Sequence, residues 1–352
     1  MTGITPVFCT IVPPQVLDAL SRSTDPALSD PARRTLMRDA EHRTRRHTAT
    51  LAVTAGAAQG AASDKPRRTV YDCRHGTSLP GTKVRSEGEE AVEDATVNRA
   101  YAALGATFEF YLKAYDRRSI DNHGLPLDAS VHYDEKYNNA FWNGEQMVFG
   151  DGDGEVFRDF TIPVDVIGHE LTHGVTQHTA NLTYQGQAGA LNESVSDVFG
   201  ALIKQYSLGQ TAEQADWLIG AGLLAPRVTG KALRSMKAPG TAYDDDVLGK
   251  DPQPATMADY VDTQEDNGGV HVNSGIPNHA FYLVAKEIGG HAWERAGRIW
   301  YDVLTGGDLE SNADFAAFAR LTVEAARNRF GDGDAEEQAV TKAWQQVGVL
   351  TS

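Results

Sequence analysis

The sequence predicts an α+β protein of two domains, in which a strand-rich half comes first and an α-helical half follows. The chain has 352 residues, which is too long for one compact core. Apolar runs typical of strands lie in the first half, whereas apolar residues at helical spacing dominate from Leu191 onward. A helix between the two halves, beginning near Val164, carries the sequence His-Glu-x-x-His.

The first 50 residues are predicted to be an element of their own. An extended segment from Ile11 leads into a short helix, and an Arg-rich helix follows from Pro31 to about His47. The next stretch is rich in Ala, Gly and Ser, which is typical of a flexible linker. We therefore divide the chain into a segment at 1–50, a linker at 51–66 and domains at 67–187 and 188–352.

In the first domain, a strand is predicted near Arg68–Tyr71 and a long helix over about Glu89 to Tyr115. Two further strands are expected near Ser130–Tyr133 and Gln146–Phe149. The helical patterns of the second half are Ala212–Gly220, Pro277–Ile288, His291–Thr305, Asn312–Phe330 and Ala335–Val347.

Composition argues against several classes of function. The net charge is −16, and the acidic excess follows the first 68 residues, so nucleic acid is not expected as a partner. No run approaches about 18 consecutive apolar residues, so no membrane span is expected. The N-terminus lacks the pattern of a secretory signal. Cys9 and Cys73 are interpreted as two reduced thiols rather than as a disulfide pair.

The His-Glu-x-x-His helix is the strongest functional signal. His169 and His173 lie at i and i+4 on one helical face, where two imidazoles can hold one zinc ion. Glu170 can then act on a water that the zinc activates. Because the motif is short, a buried helix with two hydrogen-bonded histidines is the alternative interpretation.

A second predicted helix offers a third ligand, which a catalytic zinc site requires. Glu193 is the natural candidate, and Asp197 lies one turn later on the same face. Asp197 would accept the free ring N–H of a ligand histidine. A solvated acidic face is the alternative, but the surrounding apolar residues indicate a buried helix, where paired carboxylates need a partner such as a metal.

Several long stretches in the same order resemble the thermolysin family of zinc endopeptidases. They are Tyr137–Trp142, His169–His173, Gly189–Asp197, Ala232–Met236 and Asp266–Gly275. The resemblance covers roughly residues 69–350 and implies a thermolysin-like two-domain metalloprotease with the zinc helix between the domains. Residues 1–50 resemble the short precursor segment of the protealysin-like branch, which carries a Pro-Pro motif.

The resemblance implies roles for further residues. Tyr184 and His271 would donate hydrogen bonds to the developing oxyanion, and Asp266 would orient His271 and keep it protonated. Asn192, like Asp197, would be an outer partner of the zinc ligands.

Substrate contacts are also implied. Asn139 and Ala140 should lie on an edge strand that pairs with extended substrate, and Arg234 should bond the carbonyl on the leaving-group side. The positions that match the specificity pocket of the family are all apolar, so a large hydrophobic residue is expected just after the scissile bond. They are Phe157, Phe160, Val166, Ile219 and Leu233.

The N-terminal segment is predicted to inhibit the enzyme in cis, with Ile11–Leu17 in the cleft. Pro13 and Pro14 would make this segment a stiff and poorly cleavable ligand. As an alternative, Cys9 could supply a thiolate as the fourth zinc ligand.

One departure from the family concerns calcium. Thermolysin-like enzymes typically bind a calcium pair beside the zinc helix, and this chain keeps Asp165 and Asp216 of that cluster. Lys204, Leu218 and Ala221 stand where carboxylates are expected, which leaves too few oxygen ligands. We expect the Lys204 ammonium to replace calcium as a point charge, so that calcium is not bound. The alternative is a solvent-exposed Lys204 at a helix end.

The sequence thus predicts a monomeric, zinc-dependent neutral endopeptidase that acts on peptides and proteins and is made as a latent precursor. A zinc aminopeptidase, a non-enzymatic binding module and an acidic structural or adhesive protein are the competing classes. The family resemblance implies secretion, whereas the lack of a recognisable signal leaves cytoplasmic retention or leaderless export as the alternative.

Overall fold

A computed structural model describes residues 9–49 and 63–351 of the chain. Its first half holds a mixed six-stranded sheet, and its second half is built mainly of helices. This arrangement confirms the predicted α+β class. The greater part of the predicted linker at 51–66 lies outside the described residues. Within the described ranges, no helix is both long enough and apolar enough to cross a membrane.

The main sheet has the strand order β1-β5-β6-β4-β2-β3. Its strands are β1 (Cys9–Thr10), β2 (Arg68–Asp72), β3 (Thr82–Ser86), β4 (Leu127–Val131), β5 (Ala140–Trp142) and β6 (Met147–Phe149). Strand β4 runs parallel to both of its neighbours, β2 and β6. The other pairings are antiparallel: β5 pairs with β1 and with β6, and β3 pairs with β2. The N-terminal segment therefore supplies the outermost strand of a sheet whose other strands come from the first domain.

The helices are α1 (Pro14–Ser21), α2 (Pro26–Ala49), α3 (Ala95–Tyr115), α4 (Val164–Gln177), α5 (Gly186–Leu208), α6 (Asp266–Asn273), α7 (Gly275–Ile288), α8 (Ala296–Thr305), α9 (Phe315–Phe330) and α10 (Ala335–Gln346). The second half also holds two short antiparallel pairs of strands. Strand β7 (Leu218–Ile219) pairs with β8 (Arg234–Ser235), and β9 (Asp244–Asp245) pairs with β10 (Gly249–Lys250). Helix α4 carries the His-Glu-x-x-His sequence and is called the zinc helix below.

Helix α3 begins later than the sequence indicates, at Ala95 rather than near Glu89. The Asp94 side chain accepts hydrogen bonds from the backbone N–H groups of Thr96 and Val97, as a good N-cap does. Because this cap fixes the first turn, the acidic stretch before it stays outside the helix.

The predicted helix over Ala212–Gly220 is wrong. The chain there forms turns and then strand β7, and Trp217 and Gly220 both have positive φ. Asp216 accepts a hydrogen bond from the N–H of Leu218 and also binds Lys204, so local turn chemistry and a tertiary ion pair override helical spacing.

Helices α4 and α5 touch each other through glycine. A Cβ atom on Gly168 would lie 3.2 Å from Cα of Gly200 and 2.7 Å from a methyl group of Ile203. A Cβ atom on Gly200 would lie 2.6 Å from the carbonyl oxygen of Asp165. This close approach allows side chains from the two helices to meet at one point.

The N-terminal segment packs onto the first domain rather than standing apart from it. Apolar side chains of α1 and α2 join the main hydrophobic core; they are Val16, Leu17, Leu20, Leu28 and Ala32. On the polar side of this interface, Arg38 binds Asp134 at 2.9 Å, and His42 lies 2.7 Å from the Tyr133 hydroxyl. Burial of this apolar surface gives the segment a defined docking position.

Candidate metal centre and active site

Three side chains from α4 and α5 meet at one point. The Nε2 atoms of His169 and His173 lie 3.0 Å apart, and Glu193 oxygens lie 3.5 and 3.4 Å from them. A tetrahedral zinc ion with N and O ligands at about 2.0–2.1 Å separates its ligand atoms by roughly 3.3–3.4 Å. The three donors therefore have the spacing of one face of a zinc tetrahedron.

The outer nitrogens of both histidines are already bonded. Nδ1 of His169 lies 2.8 Å from Oδ1 of Asp197, and Nδ1 of His173 lies 2.8 Å from Oδ1 of Asn192. Because a carboxylate or amide oxygen only accepts, each ring donates through Nδ1 and presents the lone pair of Nε2.

Two lone pairs that face each other at 3.0 Å repel unless a cation lies between them. Burial lowers the pKa of His173 to about 3, so this ring stays neutral at neutral pH. Among the described residues, Oε2 of Glu193 is buried without a hydrogen-bond partner. The donor set therefore fits a zinc ion.

Asp197 connects the metal centre with Arg234. Its oxygens accept from Nε and Nη2 of Arg234 at 2.8 Å and from the amide of Asn278 at 2.8 Å. Burial opposes ionisation of this carboxyl, but Arg234 and His169 hold its pKa below the usual range. Asp197 is thus a fixed anion that orients a histidine on one side and a guanidinium on the other.

Glu170 is fully buried next to these groups. Its Oε2 accepts a hydrogen bond from the N–H of Trp142 at 3.1 Å, while its Oε1 has no hydrogen-bond partner in the described part of the chain. Burial, reinforced by the charge of Glu193, raises the pKa of Glu170 well above its ordinary value. A carboxyl in this environment can accept and return a proton near neutral pH.

A hydrogen-bond donor pair lies on the other side of the centre. Nδ1 of His271 lies 2.6 Å from Asp266, and the Tyr184 hydroxyl lies 3.2 Å from Nε2 of His271 and donates to Glu193. Burial works against the charged ring, but Asp266 and then Glu193 raise the pKa of His271 to about 9. His271 is therefore a cation at neutral pH and can donate through Nε2.

Strand β1, called the N-terminal strand below, runs antiparallel to β5, with Cys9 opposite Trp142 and Thr10 opposite Phe141. The Ile11 N–H donates to the carbonyl of Ala140 at 3.2 Å, and the Val12 N–H donates to Oδ1 of Asn139 at 3.0 Å.

Two donors of the site bind carbonyl groups of the same N-terminal segment. Arg234 donates to the carbonyl of Ile11 at 3.0 Å, and Nε2 of His271 lies 3.1 Å from the carbonyl of Thr10. Both Thr10 and Ile11 are buried.

Pro13 and Pro14 do not make these contacts. Pro13 precedes helix α1 as its N-cap, and Pro14 is the first residue of the helix. The carbonyl of Pro13 accepts from the N–H of Val16 within the first turn. Since proline favours the start of a helix, the pair begins α1. The hydrogen bonds to the site are made by Thr10, Ile11 and Val12, and the last two belong to the predicted inhibitory segment Ile11–Leu17.

The predicted pocket residues are all buried, from 0% to 4% exposed. Strands β7 and β8 place Ile219 opposite Arg234, and the N–H of Leu233 donates to the carbonyl of Ile219. The rings of Phe157 and Phe160 lie 5.7 Å apart, and Val166 lies on the zinc helix. The assignment of these five residues to one specificity pocket stays a prediction.

Lys204 lies between the two retained acidic residues. Its Nζ lies 3.2 Å from Asp165 and 2.9 Å from Asp216, and it donates to the carbonyl of Leu218 at 3.2 Å. The Lys204 side chain is 14% exposed and Asp165 is fully buried, so the alternative of a solvent-exposed lysine is wrong.

Sequence reasoning missed several groups that touch the site. Ser196 bonds Nδ1 of His173, Asn278 bonds Asp197, and the Gln253 amide donates to the carbonyl of His271. Asp39, from the N-terminal segment, accepts from the side chain of Asn139. Ser196 follows Glu193 by three residues on one helix and carried a local signal, whereas the other three come from distant parts of the chain.

Comparison with known proteins agrees with this geometry. The family models described as "Thermolysin metallopeptidase, catalytic domain" and "Thermolysin metallopeptidase, alpha-helical domain" match residues 39–177 and 180–349. An extracellular metalloprotease of Pectobacterium carotovorum subsp. carotovorum is 57% identical over 282 residues, which are 80% of this chain and 81% of that protein. Protease PrtS of a Photorhabdus species is 52% identical over 289 residues, 82% of this chain and 77% of that protein.

Among solved structures, the precursor of protealysin, a metalloproteinase from Serratia proteamaculans, is similar to this chain with a TM-score of 0.87 and 53% sequence identity. The match covers 97% of this chain and 100% of that structure. The similarity therefore includes the N-terminal segment as well as both domains. On this evidence the chain belongs to the thermolysin family of zinc metalloendopeptidases, in its protealysin-like branch.

Proposed function

We propose that this protein is a neutral zinc endopeptidase that cleaves on the N-terminal side of large hydrophobic residues and is made as a latent precursor. The observation that carries the proposal is the N-terminal segment Cys9–Val12, whose backbone is bonded by Ala140, Asn139, Arg234 and His271. These are the groups that an extended peptide substrate would need.

The reaction follows from the arrangement of the side chains. Zinc, held by His169, His173 and Glu193, would supply Lewis-acid polarisation of the scissile carbonyl and the attacking water. Glu170 accepts the proton of that water through its unpaired Oε1 and passes it to the leaving nitrogen.

The remaining groups stabilise charge and hold the backbone. His271 and Tyr184 donate hydrogen bonds to the oxyanion of the tetrahedral intermediate. Asp266 keeps His271 in its charged form, so this donor persists through the neutral pH range. Arg234, fixed by Asp197, holds the carbonyl of the residue after the scissile bond.

Latency is proposed to depend on both parts of the N-terminal segment. Asn139 receives the N–H of Val12 on its Oδ1 and donates through Nδ2 to Asp39 of α2 at 3.0 Å. Asp39 also accepts from the hydroxyl of Tyr137, and Thr35 accepts from the N–H of Asn138 at 3.0 Å. Helix α2 therefore fixes, through Asp39, the same Asn139 side chain that binds the backbone of Val12.

The site of action is proposed to lie outside the cell. Relatives from Pectobacterium and Serratia are named extracellular metalloproteases. Immunodetection of the processed chain in culture medium, with a cytoplasmic protein as the leakage control, tests this location.

The specificity proposal predicts that a peptide with Leu just after the scissile bond is cleaved at least about 100-fold faster than the same peptide with Asp. The reason is that an unpaired carboxylate in an apolar pocket costs several kcal/mol. The measurement uses processed enzyme and internally quenched peptides with blocked N-termini. A zinc chelator should stop cleavage, and added zinc should restore it.

The blocked termini separate this activity from that of an aminopeptidase, which needs a free α-amino group. Equal cleavage of the Leu and Asp peptides would contradict the pocket assignment. Cleavage of free-amine peptides alone would contradict the endopeptidase assignment, and cleavage that survives zinc removal would contradict the proposed chemistry.

A further inference from the structure

The N-terminal strand lies in the cleft in the register of a substrate. The Thr10 carbonyl is bonded by His271, while the N–H and the carbonyl of Ile11 are bonded by Ala140 and Arg234. The Thr10–Ile11 peptide bond therefore lies where the proposed mechanism places a scissile bond. Substrate-like contacts alone do not make a peptide an inhibitor, because a bound peptide in this register is cut once a water molecule is activated beside it.

The side chain of Cys9 lies at the metal centre. Its Sγ, a ring nitrogen of His173 and a carboxylate oxygen of Glu193 are all within 4.8 Å of one another, and all three residues are buried. In a tetrahedral zinc site with sulfur at about 2.3 Å, sulfur lies roughly 3.6 Å from the other ligand atoms. From a separation of at most 4.8 Å, Sγ has to approach His173 and Glu193 by no more than about 1.2 Å to reach this distance, and it has farther to move toward His169, which lies outside the group.

A second observation points to an ion at this point. Oε2 of Glu193 is fully buried and has no hydrogen-bond partner in the ranges that the structure describes. Buried carboxylate oxygens without partners are costly unless a cation or a water lies against them.

We propose that in the intact chain Cys9 is the fourth zinc ligand, which closes a site that otherwise keeps one position open. The inference rests on the proposed function, because it concerns the regulation of the same centre. Zinc sites with four protein ligands are structural and inert, whereas catalytic sites retain a position for water.

Coordination of zinc by Cys9 explains why the N-terminal strand is not cleaved, although it lies in the register of a substrate. On binding, the thiol proton leaves to solvent and a sulfur–zinc bond replaces the bond from zinc to water. Without that water, Glu170 has no nucleophile to deprotonate, and the Thr10–Ile11 bond stays intact. When the N-terminal segment leaves the cleft, water takes the vacated position and the enzyme becomes active.

Cobalt spectroscopy of the full-length chain tests the proposal. The Glu170→Ala background prevents self-cleavage, and cobalt(II) replaces zinc. The expected result is a near-ultraviolet thiolate-to-cobalt charge-transfer band in the parent chain. The band should be lost in Cys9→Ser and kept in Cys73→Ser. Cys73 is a matched control because it is also buried, in a separate cluster with Tyr133 and Phe141, and burial raises its pKa to about 11.

Zinc affinity gives an independent readout. Loss of an outer partner of a metal ligand typically weakens affinity by about 10- to 100-fold, so loss of a ligand should cost at least about tenfold. In competition with a chromogenic chelator, Cys9→Ser should therefore release zinc at least about tenfold more readily than Cys73→Ser. Cys9→His, which restores a fourth ligand, should recover most of the affinity without the charge-transfer band.

A parent chain without the band, or a band that persists in Cys9→Ser, would overturn the proposal. The spectrum of the parent chain, which keeps Cys9, tests the proposal even if the N-terminal segment of the Cys9→Ser variant docks poorly. Peptide cleavage by the processed enzyme is measured separately, so a negative spectrum together with normal cleavage would refute the fourth ligand and leave the proposed function standing.

Discussion

Replacing Glu170 by alanine is expected to reduce peptide hydrolysis by about 10²- to 10⁴-fold, while one zinc ion per chain stays bound. The reason is that Glu170 lies between the two histidine ligands in sequence but is a proton acceptor rather than a ligand. Its Oε2 is held by the N–H of Trp142, and its Oε1 is left for the attacking water. Turnover of a quenched peptide and metal analysis of the same preparation provide the measurement.

Glu213→Ala is the matched control, because its side chain is 86% exposed and lies outside the site. It should keep both activity and zinc. Retained turnover in Glu170→Ala would remove Glu170 from the mechanism. Loss of zinc together with activity would instead indicate that Glu170 holds the metal.

Replacing Lys204 by alanine is expected to lower the thermal unfolding midpoint strongly, with or without calcium. Asp165 is fully buried and the Lys204 side chain is 14% exposed, and removal of one partner from a buried pair costs about 3 kcal/mol or more. That loss corresponds to a shift of roughly 4 °C or more for a chain of 352 residues, because the entropy of unfolding grows with chain length. The measurement is thermal unfolding of the zinc-loaded, inactive Glu170→Ala chain in millimolar calcium or in a calcium-selective chelator.

Lys342→Ala provides the control, since Lys342 and its partner Glu287 are more than half exposed. Exposed pairs contribute little, so its midpoint should change by no more than a degree or two. The account also expects the parent midpoint to be the same with calcium and with chelator. A rise of several degrees in calcium would show that Lys204 does not replace the ion.

The metal ligands were predictable because their geometry is local. His169 and His173 lie one turn apart on a single helix, and the i+4 rule brings them together whatever the rest of the fold. Glu193 and Asp197 follow the same rule on a second helix. Sequence spacing does not show that the two helices meet, because their close approach depends on the contact between Gly168 and Gly200.

The remaining features depend on contacts between distant residues. Asn278 reaches Asp197 across 81 positions, and Asp39 reaches Asn139 across 100, so no local pattern marks either. Pro13–Pro14 drew attention because prolines resist cleavage, yet the contacts to the cleft are made by the three residues before them. Backbone hydrogen bonds carry those contacts, so no side chain marks the contacting residues, although the predicted inhibitory segment Ile11–Leu17 includes Ile11 and Val12.

The initial rate of peptide hydrolysis by the intact, zinc-loaded chain tests most directly whether the N-terminal strand keeps a competent zinc site closed. Ile11→Asp places a charge at a position that is fully buried, and should release the strand. Met37→Asp makes the same kind of change on the exposed face of α2, where the side chain is 66% exposed. We predict that Ile11→Asp cleaves the Leu peptide without a lag, whereas the parent and Met37→Asp show a lag until the N-terminal segment is removed. An intact parent chain that cleaves from the first moment as fast as Ile11→Asp would contradict the account.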